Sequence, residues 1–165
     1  MNPDPIFAQI RANVAFEHMV MAALIAAAAS GGVVFVFQSV AAFFSGRFTW
    51  SALFGATYGA MEFSFVAFLI GFFAAVAVGL PLFLMLERVK LRKVWPYAVA
   101  GLAIELVAAG FVLKRIPLAT DFASLENAPL LLPGVLAALI FGRRMRPLWQ
   151  AAARAETAPA IFRIH

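Results

Sequence analysis

The sequence predicts an all-α, polytopic membrane protein with four transmembrane helices and a short interfacial helix in the first outer loop. Hydrophobic residues make up 64% of the 165 residues and charged residues only 13%, whereas soluble domains are about half apolar and a quarter charged. A soluble chain of this size buries only about 70% of the surface that it exposes when unfolded. It could not hide this much apolar surface from water. Four long apolar stretches and an uneven distribution of Lys and Arg complete the prediction of one membrane domain.

The first predicted span covers residues 19–44, and its 26 residues correspond to roughly 39 Å of helix. This length exceeds a hydrocarbon core of about 30 Å, so we expect the helix to tilt or to bend at Gly31–Gly32. The stretch is too long for the core of a signal peptide and has no convincing cleavage site. We therefore expect it to remain in the mature protein.

The first outer loop, residues 45–62, is itself apolar and predicts a short helix lying in the outer interface. Its large side chains fall on one helical stripe: Trp50, Leu53, Phe54, Tyr58 and Met61. The second predicted span, residues 63–86, follows directly and continues through Pro81 to the charged pair Glu87–Arg88.

The third and fourth predicted spans are shorter, covering residues 97–113 and 128–142. Asn127 is expected to cap the fourth helix, with Pro129 tolerated in its first turn and Pro133 kinking it. An apolar segment of about 10–14 residues is more often re-entrant or buried than transmembrane. A fourth segment that turns back without crossing therefore stays open as an alternative.

The basic residues favour four crossings with both termini in the cytoplasm. With four crossings, ten Lys and Arg residues lie on one side and three on the other, as the positive-inside rule requires. Trp95, Tyr97 and Trp149 then fall at the inner boundary, and Trp50 and Tyr58 at the outer one, as expected of interfacial aromatic belts. The basic tail, residues 143–165, is cytoplasmic. The excess of Arg over Lys, with abundant Ala, points to a bacterial inner membrane.

Two basic groups are predicted to lie at the inner surface and to attract anionic lipid headgroups. They are Arg88, Lys90, Arg92 and Lys93 in the turn after the second span, and Arg143, Arg144 and Arg146 after the fourth. Setting the topology alone would also explain most of this pattern.

Glu105 is the candidate functional residue, because it lies eight residues from Tyr97 and hence roughly 12 Å below the inner surface. Its short side chain cannot reach water from that depth. The carboxyl must therefore be protonated, paired inside the bundle or in contact with a wet cavity. The functional interpretation is a proton-relay or cation-coupled site, and the alternative is a neutral acid that holds helices together.

Small residues predict where the helices approach one another closely. Gly71, Ala75 and Gly79 share one face of the second span, and Gly101 and Ala109 share a face of the third with Glu105. Ser30 is the one hydroxyl at the same level on the first span. We expect a tight contact among spans one to three, with Glu105 reaching Ser30 or a carbonyl near Gly31.

Other chemistry is excluded or unsupported. The chain has no cysteine and two histidines, which excludes disulfides, thiolate metal sites and a bis-histidine haem within the bilayer. His18 with Met19 and Met21 suggests a Cu(I) site only weakly. No P-loop, zinc-protease or nucleophile-elbow motif occurs, so we expect no enzyme, cofactor or metal, and the net charge of +5 fits a membrane rather than nucleic acid.

The function expected from sequence is that of a non-enzymatic inner-membrane protein, which is an accessory or structural subunit or a homo-oligomer. Its expected partners are the lipid bilayer and either further copies of the chain or a larger membrane complex. The alternative is a small proton-coupled transporter that uses Glu105. A membrane-bound sensor or lysis-type protein is a third, weaker hypothesis.

Overall fold

A computed structural model of the chain describes residues 5–114 and 128–157, all of them in helices or the short turns between them. The α-helices are α1 (Pro5–Phe44), α2 (Trp50–Ala74), α3 (Leu80–Arg88), α4 (Trp95–Leu113) and α5 (Leu132–Thr157). A π-helical turn, Ala75–Gly79, joins α2 to α3, and a 3₁₀ turn, Ala128–Leu131, leads into α5. The predicted all-α class is confirmed for these residues.

Two helical runs are long and apolar enough to cross a bilayer: Arg11–Phe44, and the continuous run Trp50–Arg88. By length and composition they support a membrane location. Helix α4 carries a shorter apolar stretch, Trp95–Phe111. Helix α5 is apolar at its start and carries Arg143, Arg144 and Arg146 around its middle.

Helix α2 differs from the prediction, because the outer loop does not form a separate interfacial helix. The helix begins at Trp50, where the Thr49 side chain accepts a hydrogen bond from the Ala52 N–H at 3.2 Å. It continues without interruption into the second predicted span. Gly55 and Gly59 weaken a helix but remove no hydrogen bond, so they do not end it. Trp50, Phe54 and Tyr58 lie on a face of α2 that points away from the bundle.

The π turn explains how the second long helix passes Pro81. A proline in a helix has no N–H and its ring clashes with the carbonyl one turn earlier. Just before it, the Leu80 N–H bonds to the Ala75 carbonyl, five residues back instead of four. The wider turn absorbs the clash, and the helix continues as α3 to Arg88.

Helix α1 runs through Gly31–Gly32 as continuous α-helix, since α-helical hydrogen bonding tolerates glycine. The tilt or bend expected of this long helix stays a prediction, whereas the kink expected at Pro133 is wrong. Pro133 does not lie in the middle of a helix but is the second residue of α5, where a missing N–H costs nothing. The expected cap, Asn127, lies outside the described residues.

Helix α1 is the centre of the bundle and packs along both α2 and α5, while α4 packs mainly on α5. We expected the first three predicted spans to pack together. This is wrong for the third span, α4, which packs mainly on α5. The last helix takes that place, because Gly134 at its start lets it approach α4 closely. The core cluster lies at the end of the bundle that carries Tyr97, which we call the Tyr97 end; the opposite end is the Glu62 end.

Candidate functional site: a buried carboxyl between two cavities

Glu105 lies near the middle of α4 and is only 8% exposed. Among the described side chains, Glu105 and Ser30 are the polar ones classed as buried. Burying a carboxyl without a partner is costly, so the surroundings of Glu105 determine what it can do.

The hydrogen-bond partner of the Glu105 carboxyl is the backbone N–H of Gly134. Gly134 is the third residue of α5, and N–H groups in the first turn of a helix have no carbonyl one turn earlier within that helix. The carboxyl thus bridges α4 to the start of α5.

Helices α4 and α5 cross with their backbones in contact beside this bridge. A Cβ atom added to Gly101 would lie 2.6 Å from the Gly134 carbonyl oxygen, and one added to Gly134 would lie 2.6 Å from both the Gly101 carbonyl oxygen and Glu105 Cγ. No residue other than glycine fits at either position without moving a backbone. The crossing therefore fixes the position of the carboxyl.

The expected hydrogen bond between Glu105 and Ser30 is not formed. Ser30 is fully buried in α1, and its hydroxyl has no hydrogen-bond partner among the described residues. The neighbouring Gly31 packs against Ala60 and Ser64 of α2 instead. The prediction was wrong because α4 packs on α5 rather than on α1, which places a glycine backbone, not a serine, beside the acid.

Glu105 lines two separate cavities. The first, of about 90 Å³, extends from Glu105 to Tyr97 and is called the Tyr97 cavity. The second is a larger space of about 300 Å³ that contains Glu62 and is called the Glu62 cleft. A water molecule needs about 10–15 Å³ of cavity volume and polar partners. Both spaces are larger than this and border the Glu105 carboxyl, so both have room for water near the acid.

The predicted packing residues lie on two different contacts. Gly71 and Gly79 pack on α1, where added Cβ atoms would meet Ala23 and Met19 at 3.0 Å, and Ala75 is buried beside them. Gly101 packs on Gly134 of α5, and Ala109 is buried on the same face of α4. Small residues thus line both contacts, but only the second includes the acid.

Arg92, a predicted headgroup residue, is engaged within the protein. Arg92 bonds to Glu87 at 3.0 Å, and Arg11 of α1 reaches the same carboxylate oxygen at 3.4 Å. Arg92 is therefore largely buried against Glu87 rather than free for lipid, because an acid lies five residues before it in the same turn. The other basic residues of the two groups are exposed: Arg88, Lys90, Lys93, Arg143, Arg144 and Arg146.

Two residues of the predicted inner aromatic belt are core residues instead. Tyr97 and Trp149 stack with ring centroids 6.3 Å apart, and Phe141 contacts both rings. All three are buried, whereas Trp95 is exposed. The sequence does contain a pattern that predicts this core, because Phe141, Met145 and Trp149 recur at four-residue spacing and so share one face of α5.

No group of three or more metal-ligating side chains occurs among the described residues. No family model, no curated protein and no solved structure matches the chain.

Proposed function

We propose that the chain is a small proton-coupled carrier of a bacterial inner membrane, in which Glu105 binds and releases the proton. The observation that carries the proposal is that the buried Glu105 carboxyl lines two cavities, one toward each end of the bundle. A carboxyl held within a bundle and reached by water is the arrangement from which membrane proton relays are built.

The proposed topology has four crossings with both termini in the cytoplasm. The run of 19 residues in α4 corresponds to about 28 Å, close to the thickness of a hydrocarbon core. The apolar start of α5 is shorter, but Arg143, Arg144 and Arg146 follow it on exposed positions, where long side chains reach the headgroups. The Tyr97 end is then cytoplasmic and the Glu62 end periplasmic.

The geometry favours a proton over a metal cation as the bound ion. The partner of Glu105 is an N–H donor, which repels a cation and stabilises a carboxyl oxygen. Hard cations are bound by roughly six or more oxygen ligands. The side chains lining the Tyr97 cavity offer two polar groups, Glu105 and the Tyr97 hydroxyl. A proton needs one oxygen, and Glu105 supplies it.

A structural role is the second candidate, and the Gly101–Gly134 crossing favours it. Glu105 Cγ packs directly against Gly134 and the carboxyl bonds to its N–H. Under this interpretation the acid holds α4 against α5 in an accessory subunit or a homo-oligomer, and its proton is never exchanged. The two candidates differ in what happens when the carboxyl is replaced by an amide.

The experiment compares Glu105→Gln and Glu105→Leu with the parent protein in proteoliposomes under an imposed pH gradient, with an internal pH-sensitive dye. Gln keeps a hydrogen-bonding oxygen but cannot release a proton. We expect Glu105→Gln to assemble normally and to abolish proton flux. The matched control is Glu17→Gln, an exposed acid on α1, which should change nothing.

Unchanged flux in Glu105→Gln, together with loss of assembly in Glu105→Leu, would instead establish the structural role. The topology is tested separately with a reporter that is active only in the periplasm, fused to the C-terminus. We expect no reporter activity there, and an active reporter would overturn the proposed orientation.

A further inference from the structure

The two cavities share part of their lining. Of the residues that line them, only Ile70 and Glu105 belong to both sets. Ile70 is on α2 and Glu105 on α4, so these two side chains border both the Glu62 cleft and the Tyr97 cavity. One of them is apolar and the other carries the proton site.

The Glu62 cleft follows one face of α2. Glu62, Val66 and Ile70 are spaced at four residues and line the cleft on successive turns, so Glu62 lies about 12 Å along the helix from Ile70. Glu62 is exposed and Glu105 is buried, which makes the cleft a passage with one carboxyl at its mouth and another at its inner limit.

The Tyr97 cavity follows one face of α4 in the same way. Tyr97, Gly101 and Glu105 are spaced at four residues and all line it, and Tyr97 lies about 12 Å from Glu105 along the axis. The π turn, with Ala75 and Gly79, forms part of the opposite wall. Such turns are rare and occur frequently at functional sites. This cavity therefore extends from the acid toward the other end of the bundle.

We propose that Glu105 exchanges protons with both sides of the membrane, through the Glu62 cleft on one side and the Tyr97 cavity on the other, with Ile70 as the apolar barrier between them. The inference rests on the proposed function and adds the two routes and the barrier. On uptake, one O–H bond forms on the Glu105 carboxylate and one breaks on a hydronium ion, which becomes water. On release, the O–H bond of Glu105 breaks and one forms on a water molecule, which becomes hydronium. No other bond changes.

The test uses the absence of cysteine from the chain, so that single cysteines can be introduced without background. Val66→Cys places a thiol in the Glu62 cleft and Ala137→Cys places one in the Tyr97 cavity. Leu69→Cys and Leu139→Cys are the matched controls, because both residues are exposed yet line neither space. A charged, membrane-impermeant methanethiosulfonate is applied from each side of sealed vesicles.

We expect Val66→Cys to be modified only from the periplasmic side and Ala137→Cys only from the cytoplasmic side, each several-fold faster than its control. Modification of both thiols from the same side, or of neither thiol faster than its control, would overturn the two routes. The labelling rates do not depend on proton transport. Two-sided labelling with unchanged flux in Glu105→Gln would therefore reject the proposed function while leaving the two routes standing.

The barrier is tested with Ile70→Ala, which shortens the one apolar side chain at the boundary. We expect a several-fold increase in passive proton leak in proteoliposomes, and we expect adding Glu105→Gln to that variant to lower the leak again. An Ile70→Ala protein that retains parental helicity and thermal stability in detergent and shows no added leak would overturn the barrier. If that variant loses its fold, Ile70→Val provides the same comparison with a smaller change in volume.

Discussion

The contact between α1 and α2 and the contact between α4 and α5 both depend on glycine, but they bury different chemistry. At the first contact, Gly31 packs on Ala60 and Ser64, and the Ser64 hydroxyl donates to the Ala60 carbonyl within its own helix at 2.8 Å. At the second, the Glu105 carboxyl bonds across to Gly134 of the neighbouring helix.

The difference shows what close packing alone can and cannot provide. A hydroxyl bonded within its own helix adds no dependence on the partner, so the α1–α2 contact is held by van der Waals packing of small residues. The carboxyl makes the α4–α5 contact depend on a polar group that also borders two cavities. Glycine permits both contacts, and only the second has a group that can change its charge.

The largest effect on stability is expected from Gly134→Ala. The Gly101 carbonyl oxygen and Glu105 Cγ each lie 2.6 Å from the added Cβ, so the two helices must separate. We expect a loss of about 2–3 kcal/mol in the free energy of unfolding, measured by SDS titration in mixed micelles. Gly55→Ala is the matched control because its Cβ would meet nothing, and it should gain up to about 1 kcal/mol. Equal effects of the two substitutions would contradict the crossing.

A smaller effect is expected from Gly31→Ala at the other contact. The added Cβ would lie 2.9 Å from the Ala60 carbonyl oxygen and would clash with the Ser64 hydroxyl, but part of that obstacle is a small side chain. We expect a loss of about 1 kcal/mol in the same titration. Removing the hydroxyl in a Gly31→Ala, Ser64→Ala double variant should recover part of it. A double variant no more stable than Gly31→Ala would place the obstacle in the backbone alone.

The smallest effect is expected from Glu87→Gln, which lies away from both contacts. The carboxylate bonds to Arg92, which is 12% exposed, and to Arg11, which is 56% exposed. Water screens the second pair more strongly, so we expect a loss of about 0.5–1 kcal/mol. The loss should shrink further at high salt because these charges are near the surface. A loss as large as that of Gly134→Ala would show that the ion pairs, not the glycine contacts, hold the bundle together.

Sequence predicted the helical class and the long apolar runs, because composition and hydrophobic length depend on the chain alone. It also identified Glu105, since one acid in a long apolar segment is conspicuous without any knowledge of packing. The small-residue faces of α2 and α4 were visible for the same reason. These features are local in sequence.

The contacts between helices could not be predicted from the sequence in the same way. Spacing shows that Gly101 and Glu105 share a face, but not that Gly134 of α5, rather than α1, covers it. The prediction of an interfacial helix was wrong because an apolar segment without a helix-breaking residue has the same sequence pattern in both cases. It can lie in the interface or begin a membrane span. Tyr97 and Trp149 were assigned to a lipid interface because aromatic residues near basic ones fit that role as well as a core.

The most direct test of the account is whether the Glu105 carboxyl exchanges its proton within the bundle. Infrared difference spectroscopy of the protein in lipid bilayers, recorded over a pH series, detects the C=O stretch of a protonated carboxyl, and Glu105→Gln identifies which band belongs to this residue. We expect a band that disappears as the pH is raised and that is missing in Glu105→Gln. A Glu105 band that stays constant across the whole series would show an acid that never exchanges its proton, and would contradict the account.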